Sequence, residues 1–413
     1  MAVFSTKAEG IGGRIKRRYT DFVVEEVRPD GRVCEAKRFV EGGSHESENV
    51  SVPERKEGFD QLHLDLEKIN KDTNFVIKQL SRYLQCSRKR IGYAGMKDKR
   101  AVTCQRVSLF KPDVDRVQEF WSKGIQLSNA SWEKERIELG NLKGNRFLVK
   151  VRDIDLDEEE IVKRVNACFE EMEKEGIANF FGEQRFGGIR QITHLVGKHF
   201  LKGEFKEGVM LYLTHTVEGE EEEVRKARER LGKSLDFAEA TKLFPIKFRY
   251  ERAIIHHLCK YPKDFVGAFG KLPKQLRYLF THACQSFLFN RVIEERIGRG
   301  IGLKKTKGDI LIEGLPSAPL FGFESEFASG EPGEIERKVL EEEGIALKEF
   351  KVKKMAEISS KGARKSLVLK PENLKIVGIE EDEFFQGKNA CSISFELSKG
   401  NYATTVLREI MKV

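Results

Sequence analysis

Short stretches of this chain put chemically capable side chains in unusual company. In Gly95-Met96-Lys97-Asp98-Lys99-Arg100-Ala101-Val102-Thr103-Cys104-Gln105 one carboxylate, Asp98, stands among cations. A glycine that lets the chain turn precedes it, and an apolar step that begins a strand follows. Flanking cations favour the ionised carboxylate, the form that a nucleophile or general base needs near neutral pH. Read alone, Lys97-Asp98-Lys99 fits a solvated charged turn better than a catalytic site, so the surroundings must decide.

A second stretch, Ala178-Asn179-Phe180-Phe181-Gly182-Glu183-Gln184-Arg185-Phe186-Gly187-Gly188, gathers aromatic rings, glycines, an amide and an arginine. Exposed aromatics cost solubility unless they stack or pack. Two readings stay open on these residues: an aromatic corner of the core, or a stacking platform for an extruded base with Asn179 supplying amide hydrogen bonds.

Charge supports a polyanionic partner. The 413 residues carry 74 Lys and Arg against 66 Asp and Glu, a net charge of +8, and its distribution says more than its size. Basic groups crowd Arg14 to Arg18 and Arg88 to Arg100, whereas acidic groups crowd Asp153 to Glu160 and Glu218 to Glu223. An RNA-facing surface beside acidic outer helices gives that asymmetry. Arg88, Lys89, Arg90, Lys97, Lys99 and Arg100, together with Arg185, are the candidates to hold phosphates, with binding that weakens in salt.

Other chemistries find no support. The seven cysteines are scattered without a Cys-x-x-Cys pair, and the eight histidines include no His-x-x-x-His. Reduced thiols and no metal site are therefore expected. No uninterrupted apolar run is long enough to cross a bilayer, and the first residues lack the apolar core of a leader peptide. The expectation is a soluble cytoplasmic protein, a monomer with no membrane partner.

The elements that must position these residues follow from periodicity. Asp21 to Val27 and the alternation about Leu62 and Leu64 read as strands. A helix capped by Thr73 or Asn74 carries Val76, Ile77, Leu80 and Leu84 inward and delivers the chain to the basic loop and Asp98. Val102 to Phe110 and Arg146 to Val151 read as strands, with Gly144-Asn145 as a turn. Asp155 or Asp157 starts a helix that Gly176 ends. Residues 41–58 read as a loop, and so does Glu313 to Gly333 with its prolines and glycines. From Gln191 to Gly362 the texture is helical, with Pro273 opening a long helix. Strands return at Ser366 to Leu369 and Ala390 to Leu397, and Asn401 caps a final helix. The expected fold is α+β: a mixed-sheet domain over 1–190 and 363–413, interrupted by a mainly helical insert over 191–362.

Four separated stretches resemble one family. Gly95-Met96-Lys97-Asp98 with Ala101-Val102-Thr103 and Gln105, Leu142-Lys143-Gly144-Asn145, Asn179-Phe180-Phe181-Gly182 with Gln184-Arg185-Phe186-Gly187, and Ala403-Thr404 with Leu407-Arg408-Glu409 are similar to the motifs of the tRNA pseudouridine synthase D (TruD) family, in family order along nearly the whole chain. The long insert resembles that of archaeal members. The resemblance implies a pseudouridine synthase catalytic domain carrying an inserted TRUD domain. It implies a reaction without metal or cofactor: a uridine of tRNA, with the D-arm uridine at position 13 as first expectation, becomes pseudouridine when its glycosidic bond breaks and the base reattaches through carbon.

By position the resemblance makes Asp98 the catalytic aspartate, Phe181 the ring that stacks on the target base and Asn179 the amide beside it. Lys16 becomes the cation that pairs with the aspartate, although Arg17-Arg18-Tyr19-Thr20 departs from the family's proline-containing approach to Asp21-Phe22. Glu26 aligns with an acidic position of the family without a role. Whether Asp98 attacks ribose or base stays open. The alternative is a non-catalytic tRNA-binding or chaperone protein on the same fold.

Overall fold

Apolar residues at every second position of Gln61–Ile69 make it a strand with one oily face, and helix Thr73–Tyr83 lies on that face. Leu62, Leu64 and Leu66 bury against Val76, Ile77 and Leu80 of the helix. This layer belongs to one of two compact units in the computed structural model, which describes residues 4–40 and 46–413. The first unit is Phe4–Ile177 with Lys370–Val413, and the second is Ala178–Leu369.

In the first unit the strands are β1 (Phe22–Val27), β2 (Gln61–Ile69), β3 (Ile91–Tyr93), β4 (Val102–Phe110), β5 (Ile125–Glu133) and β6 (Gly144–Ile154), followed by Glu372–Glu381 and Asn389–Ser398. Among the described residues these eight form one sheet. Its order runs from strand 372–381 through strand 389–398, β6, β1, β4 and β2 to β5, with β3 on β4. Only the β1–β4 pairing is parallel, which makes the sheet mixed. Helix α1 is Thr73–Tyr83.

The opposite face of β2 carries polar yet buried side chains. Asp65 accepts from Arg28, Arg106 and Asn129, and the Glu67 carboxylate accepts the backbone N–H groups of Lys37, Arg38 and Phe39. Buried carboxylates need such partners to offset their desolvation.

The second unit is mainly helical. Its helices include Thr193–Leu201, Phe205–Thr214, Glu222–Ser234, Arg249–Lys260 and the long Lys274–Gly298, gathered on an apolar core containing Phe200, Phe269, Phe280 and Phe289. A small antiparallel sheet, Leu311–Ile312 with Leu315–Leu320 and Ala363–Ser366, completes it.

Several local expectations change. Asp72, not Thr73 or Asn74, caps α1, since its carboxylate accepts from Phe75 N–H while the Thr73 hydroxyl is engaged elsewhere. Gly144 and Asn145 are strand residues opposite Leu397 and Ser398. Leu315–Leu320 is a strand and Gly330–Glu342 a helix, in place of one continuous loop. Pro316 lacks an N–H but keeps its carbonyl, which accepts from Leu367 N–H at 2.8 Å. Asp157 caps helix Glu158–Glu175, and Tyr402, in place of Asn401, stands at the N-cap of the last helix, Ala403–Met411. Of the loop expected over 41–58, residues 41–45 lie outside the described residues. The units divide at 177/178 and 369/370, whereas periodicity places the change at 190/191 and 362/363, because the aromatic stretch from Ala178 packs with the helices. Among the described residues no helix is long and apolar enough to cross a membrane.

Candidate active site

Asp98 sits on the connection between β3 and β4, and that connection is held by its backbone. The Lys97 N–H donates to Thr73 Oγ1 at 3.1 Å, and the Thr73 hydroxyl reaches back to the Lys97 carbonyl at 3.4 Å. Lys68 Nζ donates to the Asp98 carbonyl at 2.8 Å and to the Lys71 carbonyl at 2.8 Å. Gln105 Nε2 holds the Gly95 carbonyl at 3.0 Å, and Asn70 N–H holds the Ala101 carbonyl at 3.1 Å. A loop with so many satisfied peptide groups presents its side chains from a fixed platform.

Lys68 is fully buried at the end of β2, and burial pushes its pKa down to about 8 against the pull of Asp98 and Asp72, which favour its charged form. The Asp98 carboxylate itself faces outward, with 51% of its side chain exposed.

Lys16 comes to this carboxylate from the segment before β1. Its Nζ lies 3.8 Å from Asp98 Oδ2 and 3.9 Å from the centroid of the Phe22 ring. The ring face and the carboxylate together localise the ammonium. Lys16 has φ +62°, a left-handed backbone that turns its side chain toward the loop. Lys16 and Asp98 are thus brought together in one unit.

The neighbouring cations divide. Lys97, expected to hold phosphate, instead turns inward: its Nζ lies 2.8 Å from Glu26 Oε2 and donates to Asn145 Oδ1 at 2.7 Å, and both ion-pair side chains are buried. Such a lysine cannot reach a phosphate, and Glu26 gains the structural role of its counter-ion. Arg90 clamps the end of β4 by donating to the Phe110 and Lys111 carbonyls, so its guanidinium is likewise committed. Arg88, Lys89, Lys99 and Arg100 are exposed.

Asn179, Phe181 and Arg185 come together in the other unit. Asn179 N–H donates to the Leu367 carbonyl at 2.9 Å and its Nδ2 to the Ser366 carbonyl at 3.1 Å. The Asn290 amide, on the long helix, grips Phe181 twice: Oδ1 accepts the Phe181 N–H and Nδ2 donates to its carbonyl, each at 2.9 Å. The Phe181 ring is buried, edge-to-face with Phe289 at 5.6 Å, so the stretch does build an aromatic corner of the core. Two cations stand over that ring: Arg185 Cζ at 5.6 Å and Lys365 Nζ at 5.4 Å from its centroid. Arg185 also donates to Ser286 Oγ at 3.1 Å. Burial pushes Lys365 down to about 8.

Sequence reasoning missed Lys68, Thr73, Asn145 as a side-chain partner, Asn290 and Lys365. Lys68 falls in phase with Leu62, Leu64 and Leu66 at the end of β2, where a lysine reads as the point at which the strand leaves the core. Asn290 stands in a helix interior, where an amide gives no local signal. Among the described residues no three His, Cys, Asp or Glu gather as a metal-binding group.

The family model for tRNA pseudouridine synthase D (TruD) matches residues 1–315 and 313–410. A protein from Methanococcoides burtonii named "Probable tRNA pseudouridine synthase D" is 37% identical over 446 residues, covering 100% of this chain and 95% of its own. One of the same name from Methanosarcina acetivorans is 38% identical over 448 residues with the same coverage. A crystal structure from Methanosarcina mazei, named for tRNA pseudouridine synthase D, superposes with a TM-score of 0.80 at 36% identity, covering 100% of this chain and 96% of that one.

Proposed function

The chain belongs to the tRNA pseudouridine synthase D family, and from that premise we propose that it isomerises a D-arm uridine of tRNA to pseudouridine with Asp98 as nucleophile. The observation that carries this reading is the 3.8 Å approach of Lys16 Nζ to an outward-facing Asp98 carboxylate on a backbone-anchored loop. A solvated turn gains nothing from buried Lys68 and Thr73 holding its peptides, whereas a nucleophile gains position.

The reaction needs the glycosidic C–N bond to break, the uracil to rotate, and a C–C bond to form with loss of the C5 proton, while the freed ring nitrogen takes up a proton, so that the composition is unchanged. Asp98 bonds covalently to ribose or base while the ring is detached, and it departs when the new bond closes. The Lys16 ammonium, 3.8 Å away, holds the carboxylate in place. The target uridine must leave its stack, at an unstacking cost of about a few kcal/mol. Stacking on Phe181 returns on the order of 1–3 kcal/mol per base. Support for that role is the Asn290 clamp on the Phe181 backbone together with Arg185 and Lys365 over the ring, a cationic setting suited to an anionic nucleotide.

The test is Asp98→Asn and Asp98→Ala assayed on unmodified tRNA by mass spectrometric detection of pseudouridine, with tRNA binding measured in parallel. Loss of product with retained binding supports the role of Asp98. Product formation by either variant removes Asp98 from the chemistry, and mapping the product in the wild-type reaction decides the D-arm assignment.

A further inference from the structure

We propose that the cleft between α1, β3 and residues 136–139 is a second nucleotide site, taking an unpaired nucleotide of the same RNA beside the uridine that is isomerised. This rests on the chain being a tRNA-modifying enzyme. It does not rest on Asp98 being the nucleophile.

The cleft encloses about 440 Å³ within the sheet unit, inside the range of roughly 300–1,000 Å³ found for small-molecule sites. Its floor is apolar and aromatic: Ile77 of α1, Tyr93 of β3 and Ile137 line it, and Leu139 stands at its edge with 76% of its surface exposed.

Cations ring the mouth. Arg88 and Lys89 are exposed on the short helical turn before β3, and neither forms an ion pair among the described residues. Arg136 also lines the cleft, with one guanidinium nitrogen donating to the Ile91 carbonyl at 3.2 Å and another 3.6 Å from Glu138 Oε1. The lone carboxylate of the lining is thereby matched, and the positive charge of Arg88 and Lys89 is left facing solvent. The exposed amide of Asn74 offers both a donor and an acceptor for a base edge. An apolar and aromatic floor, an amide and unpaired cations together describe a nucleotide: base on the floor, phosphate at the rim.

The occupant is argued to be part of the RNA, and not a free nucleotide, by continuity of structure. Strand β3 runs from this cleft directly into the Asp98 loop. Helix α1, which supplies Asn74 and Ile77, begins at Thr73, whose hydroxyl holds Lys97 in that loop. One polynucleotide engaging the loop meets the same elements at the cleft.

The experiment is equilibrium binding of an unmodified tRNA transcript to the full-length protein across a salt series. It compares the wild type with Leu139→Asp, Tyr93→Ala and the double variant Arg88→Ala/Lys89→Ala, with a uridine monophosphate titration alongside. Leu139 is exposed, so Leu139→Asp leaves folding intact even if Tyr93→Ala does not. Tyr93→Ala is expected to weaken tRNA binding about tenfold, the worth of a stacked base, and Leu139→Asp to weaken it by about as much, by placing a carboxylate where the base would pack. The double variant is expected to reduce the slope of log affinity against log salt by roughly 0.7–0.9 for each phosphate it no longer neutralises. Unchanged tRNA affinity in Leu139→Asp overturns the proposal. So does a uridine monophosphate signal that Leu139→Asp abolishes without any effect on tRNA, which marks a mononucleotide site. Because binding is read and not turnover, the outcome is independent of whether Asp98→Asn is inactive.

Discussion

Lys97 Nζ lies 2.8 Å from Glu26 Oε2, both side chains buried, so the lysine immediately before Asp98 belongs to the interior and anchors the loop from beneath. Truncating one member of such a pair strands the other charge, at a cost of about 3–5 kcal/mol. Lys97→Met should therefore lower the urea midpoint strongly. Lys99→Met, at an exposed position, should leave the midpoint alone and instead reduce the salt dependence of tRNA binding. Equal effects of the two on stability would show that the ion pair contributes nothing.

Lys16 can be tested without straining its backbone. At φ +62° a glycine is at ease, so Lys16→Gly removes the ammonium while the chain path is retained. With Asp98 unpaired and less well aimed, kcat for pseudouridine formation should fall roughly 100-fold, while the melting temperature and KM change little. A loss confined to KM would instead make Lys16 a binding residue.

Lys68 makes stability depend on pH. Its folded pKa is depressed to about 8 by burial, below the ordinary lysine value of 10.5 that the unfolded chain shows. Between these values the unfolded state binds more protons, so the contribution of Lys68 to stability rises with pH across that window and is smallest below about 8. Denaturant titrations at each end of the window should show the wild type gaining on Lys68→Met as pH increases. A constant difference between the two proteins would place the ammonium in a better solvated setting.

Asn290 is the test of the Phe181 clamp. Removing its amide leaves the Phe181 N–H and carbonyl without this partner, which should cost about 1–3 kcal/mol. If the ring stacks on the target base, Asn290→Ala should also raise KM for tRNA, and Phe181→Ala should raise it further. Phe181→Ala with unaltered kinetics would confine the ring to packing.

The strands about the Asp98 loop are legible because Leu62, Leu64 and Leu66 alternate, and Asp98 stands out because a carboxylate among cations is rare company. What periodicity cannot convey is which way a polar side chain turns. Lys97, Lys99 and Arg100 look alike in sequence, yet only Lys97 finds Glu26 and Asn145, which arrive from β1 and β6. Thr73 looks like a cap and is diverted to the Lys97 backbone, leaving Asp72 to cap. Leu315–Leu320 is a strand despite its prolines because a partner distant in sequence, the Leu367 N–H, donates to what a proline can still offer, its carbonyl. The aromatic stretch at Phe181 gives no local sign that its packing partner, Phe289, lies far along the chain.

The Asn179 N–H and the Leu367 carbonyl, close to the first and last residues of the helical unit, meet at 2.9 Å. A chain that leaves and returns at one point behaves as a closed excursion. Residues can be added or removed inside it without changing the separation of its ends, so the length of this unit is free to drift in evolution while the strands on either side keep their register.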